Sequence, residues 1–497
     1  MLKKIIGAAF FIFVIFLFCY FRLKPLYFQS VGYTFDQGRD FLKAAEMILD
    51  KNPTFIGPTT GIQGIFHGAW YYYLLLIPFL LLGGVPIGFY YFNFLFHLLS
   101  LLVLMFFIRK WFGSVISLLI GAIIASSPYF IFTSIFVGNN IFVLPVLVVF
   151  IISNYYLFYS NQIQKNYLWL IAGLSVSFVF EFEVAFGLFL IPSYLFILLL
   201  NRNTRKHLFS KKRFSPLLLG LVIPLVPRLL FEMKNGFSQI KTILAFFLKP
   251  KQINPRSLLD ILFDRFNLFW GYAKGLFAND MILYSFLLAL FIGLLIILLN
   301  RKKTNYGSLL FFSLIIIFLF IFSLFYKDNF WNNYYEGIQY LFLVLAANVL
   351  FLALNKNKLV LIFIVLTLLI NLATSLNTIV KDWNNKPQEK LLKSQIAIVD
   401  YIGDKIKSEK NSNYCVKVYT PPVIPFTYNY LFLYNKLAKK IETPQNNWID
   451  GKCWYIIETD DNKERRTEWI EKNIPSKAKL IQKRLFNDVE VSLYELD

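Results

Sequence analysis

Ten apolar runs, each long enough to cross about 30 Å of hydrocarbon, recur along this chain. They lie at roughly residues 5–23, 88–108, 113–133, 140–159 and 184–200, then at 215–231, 281–299, 306–326, 336–354 and 358–378. In lipid a helix satisfies its own backbone polar groups, so such runs commit the chain to a bundle of spanning helices. Composition agrees: 57% of the 497 residues are hydrophobic and only 16% are charged, against roughly a quarter charged in a globular protein. An ordinary soluble enzyme and a disordered chain are both excluded. Segment 167–181 is short but sufficient, whereas 69–83 (AWYYYLLLIPFLLLG) is shorter still and carries Pro78. The expected class is an all-α polytopic membrane protein with about 11–12 transmembrane helices and a small C-terminal α/β domain.

The net charge of +21 is unevenly placed. From Lys381 to Asp497 there are 20 basic and 17 acidic side chains, a difference of +3, which leaves +18 for the membrane portion. Those cations cluster in short loops, at 109–110, 201–213, 300–303 and 355–358. Such clustering is the positive-inside bias, not a nucleic-acid surface, and no nucleic-acid partner is expected. Placing these loops in the cytoplasm puts the tail after residue 379 outside. The first run follows Lys3-Lys4 and has no small-residue cleavage site after it, so it reads as a retained anchor with a cytoplasmic N-terminus. Residues 24–68 then also face outside. Both placements hold together only if 69–83 fails to cross fully, leaving eleven complete spans in a multi-pass protein of the cell membrane.

The chain divides at about residue 380. Within 1–380, two long loops face outside: 24–68 and 232–280. The second contains amphipathic stretches such as RSLLDILFDRFNLFWGYAKGLF, the pattern of helices lying in the membrane interface. Residues 381–497 begin with an amphipathic helix marked by Leu391, Leu392, Ile396, Val399, Ile402 and Ile406. A strand CVKVY, a helix YNYLFLYNKLA, a strand CWYIIET, a further helix and a terminal strand pair follow. This tail has no phosphate-binding loop and nothing catalytic, and reads as a packing or acceptor-positioning lid. Cys415 and Cys453 fall within it and pair if it faces an oxidising compartment; the sequence leaves that open. Cys19 lies in the first apolar run, and no zinc spacing is present.

The first outer loop holds the chemistry. Asp36 and Asp40 are four residues apart, as are Arg39 and Lys43, so a helix over 36–49 puts both carboxylates on one face. A carboxylate where the first span leaves the bilayer is expected to be partly desolvated, which raises its pKa toward that of a general base. The same spacing also fits a plain surface helix with an Asp cap. Glycine-containing turns (IGPTTGIQG) lead to His67-Gly68-Ala69-Trp70 and to Tyr71, Tyr72 and Tyr73. These aromatics are either an interfacial belt or a surface for a sugar attached to a lipid phosphate. Glu181 and Glu183 sit at an outer turn and either face an acceptor cavity or are simply solvated. Arg228, after Pro224 and Pro227, is either a snorkelling arginine or a phosphate ligand. Asn139-Asn140 and Asn332-Asn333 either cap loops or bind sugar hydroxyls.

Asp-Gln-Gly-Arg at 36–39, the AAEMI that follows, the IGP turn and HGAWYYYL at 67–74 resemble the first periplasmic loop of GT-C glycosyltransferases. The nearest group is glycosyltransferase family 39 with its relatives: protein O-mannosyltransferases, lipid A aminoarabinose transferases and rhizobial galacturonosyltransferase-like enzymes. SSPYFIFTSIFVGNNIFVLP, LIAGLSVSFVFEFEVAFGLFLIP and NNYYEGIQYLFLVLAA are similar to later pieces of that family, in order. The resemblance spans about 380 residues in architecture and about 40 in motif. Position 37 is Gln where the family often has Glu, and Gly68-Ala69 replaces the family's Pro-Pro.

The resemblance implies a GT-C membrane enzyme transferring a sugar from a polyprenyl-phosphate donor to an acceptor glycan, lipid or protein on the extracytoplasmic face, with inversion. By position it makes Asp36 the base, with Asp40 in the second acidic role. A polyprenyl phosphate leaves without a strong general acid, unlike the two-carboxylate hydrolase scheme, but its oxygens need positive charge. Arg39, His67, Arg228, Lys249 and Lys251 are the candidates, with Trp70, Tyr71, Glu181 and Glu183 for sugar or acceptor. No cofactor is fixed; Asp36 and Asp40 are the two ligands on offer for Mg2+ or Mn2+, without an evident third. Two other readings stand: a polysaccharide polymerase or ligase, for which paired loop arginines are expected where 232–280 has only Arg256 and Arg265, and a lipid-linked-sugar transporter or flippase, for which no internal repeat is found.

Overall fold

The computed structural model describes residues 2–158, 163–248, 256–299, 307–326, 328–354, 359–385, 390–409, 413–421 and 423–496. Helix α1 (Leu2–Tyr27) leads into the first loop, which holds α2 (Phe35–Leu49) and a hairpin of β1 (Ile56–Thr59) and β2 (Phe66–Gly68). Then follow α3 (Trp70–Leu82), α4 (Pro86–Phe112), α5 (Ser114–Ser126), α6 (Pro128–Ser134), α7 (Val143–Phe158), α8 (Asn166–Phe182) and α9 (Val184–Leu200). A short α10 (Arg202–Leu208) precedes α11 (Lys211–Val222) and α12 (Val226–Lys234), which continue one another through a 3-10 turn. The second loop carries α13 (Ser238–Leu248) and α14 (Leu258–Lys274). The bundle closes with α15 (Asp280–Leu299), α16 (Gly307–Ser323), α17 (Ile338–Leu354) and α18 (Leu359–Asn385). Every apolar run read from the sequence coincides with one of these helices or, at 113–133 and 215–231, with two in succession, and the chain is a polytopic helical membrane protein.

Two local features organise the bundle. The run at 113–133 is not one rod: α5 and α6 meet at 68°, because Pro128 holds Ser127 extended at φ −65, ψ 127. The carbonyls freed at the break are met by Arg22 of α1. Its guanidinium donates to Ile124 O (3.1 Å), Ala125 O (3.0 Å) and Ser134 Oγ (2.6 Å). A cation at a helix C-terminus opposes the local dipole, which is how Arg22 is fully buried with no carboxylate partner among the described residues.

The second feature is α3. Near its start, the Tyr72 hydroxyl donates to Asp40 of α2 (3.3 Å). Just past its end, Gly84 O accepts from the Tyr430 hydroxyl (2.6 Å). The Tyr430 ring lies 5.4 Å from Phe41 of α2 and 6.0 Å from Phe89 at the start of α4. Both ends of α3 therefore sit at the same face. Its 13 residues reach only about 20 Å, and Leu80 and Leu81 stay exposed on it, as on an interfacial helix. With α3 set aside, the described helices that match the spans expected from the sequence are α1, α4, α5–α6, α7, α8, α9, α11–α12, α15, α16, α17 and α18.

The tail packs onto that face. Helix α19 (Leu392–Ser408), β3 (Val416–Tyr419), α20 (Phe426–Lys439), β4 (Lys452–Ile457), α21 (Lys463–Asn473), β5 (Lys479–Phe486) and β6 (Val489–Glu495) form a four-stranded sheet in the order β3-β4-β6-β5. The β3–β4 pair is parallel and the others antiparallel. Cys415 and Cys453 form a disulfide across the parallel pair. The sheet domain grips α2 directly. Tyr33 N donates to Lys390 O (3.1 Å) and Leu392 N to Val31 O (3.0 Å). A Cβ on Gly38 would lie 2.5 Å from the Phe426 and Thr427 backbone, so only glycine lets α20 approach this closely.

Candidate active site

Helix α2 starts after Thr34, whose backbone N and hydroxyl both donate to Gln37 Oε1 (2.9 and 2.6 Å). Gln37 Nε2 donates in turn to Val137 O (2.7 Å). Gln37 is thus fully occupied in capping the helix and tying it to the loop after α6. Asp36, in the first turn, points outward with its side chain 62% exposed and pairs with Arg39 Nη1 (2.9 Å). Asp40, one turn on, is 2% exposed and accepts from Arg39 Nε (2.8 Å). Burial pushes the Asp40 carboxyl up to about 6, even against the pull of Arg39. The desolvation expected at the membrane boundary therefore falls on Asp40, not on Asp36, because the first turn of α2 opens into a cavity while the second packs against α3.

That cavity, about 910 Å3, lies between the first loop, the loop after α6, α14 and the loop before α17. Asp36, Arg39, Asp40, His67 and Glu183 line it, together with Asn139-Asn140 and Asn332-Asn333. His67 does not supply the positive charge expected of it. Its Nδ1 accepts from Val184 N (3.4 Å), and burial, reinforced by Arg228 and Arg39, pushes its pKa down to about 3. A neutral imidazole with Nδ1 engaged offers Nε2–H as a donor and nothing more.

Other sequence candidates lie elsewhere. Arg228 and Glu181 pair with each other (2.7 Å), both buried, and Arg228 also donates to Phe66 O (2.8 Å) and Gln239 Oε1 (3.0 Å). The pair fastens β2 to the bundle behind the cavity. A Cβ on Gly68 would overlap the Glu181 carboxylate, which explains the glycine. Trp70 Nε1 donates to Pro224 O (2.7 Å) and its ring packs against Phe178. Tyr71 is fully buried. Neither aromatic borders the cavity; they pack α3 onto its neighbours. Glu183 does face the cavity, accepting only from Ala185 N (3.3 Å) among the described residues. Lys249 and Lys251 lie outside the described residues.

No protein-family model matches the sequence, and no curated protein matches it. Among solved structures, ArnT from Cupriavidus metallidurans bound to undecaprenyl phosphate superposes with a TM-score of 0.63 at 12% identity, over 99% of this chain and 98% of that one. Its apo state superposes with a TM-score of 0.59 at 13% identity, over 99% and 97%. The fold is of the GT-C type.

Two cavity residues of this GT-C fold were not among the site candidates drawn from the sequence. Arg265 of α14 is 1% exposed. Its Nε donates to Ser323 O (3.2 Å) and its Nη2 to Tyr326 O (2.6 Å), and it lies 4.5 Å from the Phe330 ring centre. No carboxylate pairs with it among the described residues. Burial lowers its pKa to about 10, so it stays charged at neutral pH. Its signal was a lone cation on the inward face of an amphipathic helix. Glu336, before α17, is also buried beside the cavity. Burial pushes it up to about 7 despite a hydrogen bond from the Tyr129 hydroxyl. Metal ligation finds little here: Arg39 already stands between Asp36 and Asp40, and among the described residues no three His, Cys, Asp or Glu side chains converge.

Proposed function

We propose that this chain is a membrane glycosyltransferase that moves a sugar from a polyprenyl-phosphate donor to an acceptor hydroxyl. The observation that carries the reading is the pairing, in one cavity at the loop face of a GT-C bundle, of an exposed carboxylate with a buried guanidinium that has no acidic partner among the described residues. Asp36 takes the proton as the acceptor oxygen attacks the anomeric carbon. The carbon–oxygen bond to phosphate breaks, its electron pair leaves with polyprenyl phosphate, and the anomeric centre inverts. Arg265 and Arg39 hold the phosphate oxygens, where fixed positive charge stabilises the developing anion, and His67 adds a neutral donor. Arg39, locked between two carboxylates, also fixes the direction of Asp36. Undecaprenyl phosphate in the ArnT structure supports a polyprenyl donor. The Lys/Arg bias and the Cys415–Cys453 disulfide support an extracytoplasmic site in the cell membrane.

The test is release of free polyprenyl phosphate from a panel of polyprenyl-phosphate sugars by purified protein, with an envelope extract as acceptor. Release by wild type and a loss of at least a hundredfold in Asp36→Asn, with folding unchanged, is the expected result. An acid limb near pH 6 that disappears in Asp40→Asn would move the base to Asp40. No release from any donor by well-folded protein would overturn the reading and make transport the next assay.

A further inference from the structure

The cavity holds a second cluster of buried polar groups that the transfer step leaves unused. Glu183 is 4% exposed, Glu336 8% and Gln339 1%, and all three line the cavity. Gln339 Oε1 is buried and has no hydrogen-bond partner among the described residues. An acceptor shut away from water and left unpaired costs free energy, so its retention at a cavity wall points to a ligand that donates to it. Among the described residues Glu183 accepts only from Ala185 N and Glu336 only from the Tyr129 hydroxyl. A carboxylate offers about four acceptor positions, so both keep capacity to spare.

Their neighbours put these groups on one wall, beside the reacting residues. Val184 N, next to Glu183, donates to His67 Nδ1 (3.4 Å). On the other side of Glu183, Phe182 O accepts from Asn139 Nδ2 (2.8 Å). The Phe186 ring lies 4.9 Å from that of Tyr335, which precedes Glu336, and the Tyr335 and Tyr272 rings lie 6.5 Å apart. Tyr272 also lines the cavity and follows Arg265 by seven residues on α14, two turns along the same helix face and about 10 Å away. A phosphate on Arg265 can therefore carry its first sugar ring to Glu183, Glu336 and Gln339.

We infer that Glu183, Glu336 and Gln339 hold the sugar of the lipid donor, and that this sugar turns hydroxyl or ammonium groups toward them and carries no carboxylate. This rests on the transferase reading above and deepens it by naming the class of sugar. Hydroxyl and ammonium groups supply the hydrogens that three acceptors need, whereas a uronic acid sets a further carboxylate against two, and like charges brought together reject the ligand. The experiment uses full-length protein in nanodiscs. Competition against a fluorescent polyprenyl phosphate gives the affinity for bare undecaprenyl phosphate and for the same lipid carrying a neutral hexose, an amino sugar or a uronic acid. At least one neutral or amino form is expected to bind wild type tenfold tighter than the bare lipid, and the uronic forms no tighter. Glu183→Gln, Glu336→Gln and Gln339→Leu each remove about tenfold of affinity for the sugar-bearing lipid, the size of one lost hydrogen bond to a charged or buried group. Bare undecaprenyl phosphate binds them as it binds wild type, which shows that the cavity is intact.

The second readout is release of undecaprenyl phosphate from the same lipids with an envelope extract as acceptor. Release confined to neutral or amino donors, with the donor KM raised in Gln339→Leu, supports the inference. Sugar-bearing lipids that bind wild type and all three variants equally overturn it, and so does loss of the bare lipid by all three, which would make these side chains struts. Release from uronic donors as fast as from the best neutral or amino donor overturns it and leaves the transferase standing. No release from any donor, by protein that binds bare undecaprenyl phosphate, overturns both.

Discussion

Asp36 and Asp40 occupy successive turns of one helix face, and their surroundings separate them. Asp40 is buried against Tyr72 and Arg39, so its folded carboxyl, pushed up to about 6, holds a proton more tightly than the unfolded chain does. Such a group contributes stability that is fully present below the unfolded value near 4 and is lost as pH rises through about 6. A shift of two units amounts to roughly 3 kcal/mol. Asp40→Asn, which keeps the shape and stays neutral, is therefore expected to melt near wild type at pH 4 and above it at pH 7. An unchanged difference between the two pH values, measured by thermal unfolding in detergent, would show that Arg39 compensates the charge fully. Arg265 invites the second prediction at this scale. Arg265→Gln removes the charge and is expected to raise the donor KM at least tenfold. Arg265→Lys recovers only part, because an ammonium cannot hold two carbonyls and a phosphate in one planar fork. Equal donor KM in wild type and Arg265→Gln would move the phosphate site to another cation.

The element that sets the geometry of the site is α2, and the tail holds it from behind. Asp36, Arg39 and Asp40 face the cavity while Gly38 and Phe41 meet α20. Gly38→Val is expected to push α20 off α2 and lower turnover by tenfold or more, with the bundle still inserted and helical; kcat and protease sensitivity of the tail are the measurements. Normal turnover with a released tail would reduce the domain to a cover. The 36–49 helix was legible from its spacing, and the tail's order of elements from its alternation and turn residues. The grip of one on the other was not, because the need for glycine at 38 exists only once α20 lies against it. The α5–α6 break was hidden for a related reason: an apolar run reads as continuous even where a proline turns it, and the cap that stabilises the break comes from Arg22 on another helix.

Across the whole molecule, what could be read from the sequence was whatever depends on local composition: spans, loop charges and the short reach of α3. What could not be read depends on distant partners. Arg228 finds Glu181 47 residues away, and Arg265 finds carbonyls 58 and 61 residues on, so the first became a strut and the second a cation held by carbonyls with no acidic partner among the described residues, without any sign in the flanking residues. Topology turns on α3. Because both of its ends lie at one face, residues 24–68 and the tail are expected to share a side of the membrane, with the basic loops after α4 and α9 on the other. Single cysteines in a Cys19→Ser background, with the Cys415–Cys453 disulfide left intact, test this on whole cells with a membrane-impermeant maleimide. Asn52→Cys and Lys472→Cys are expected to label from outside, and Lys110→Cys and Lys206→Cys only after permeabilisation. Were α3 to cross, every span after it would be inverted, and Asn52→Cys and Lys472→Cys would report opposite sides. Labelling of both from inside alone would invert the whole protein, place the disulfide in a reducing compartment, and remove the extracytoplasmic assignment of the cavity.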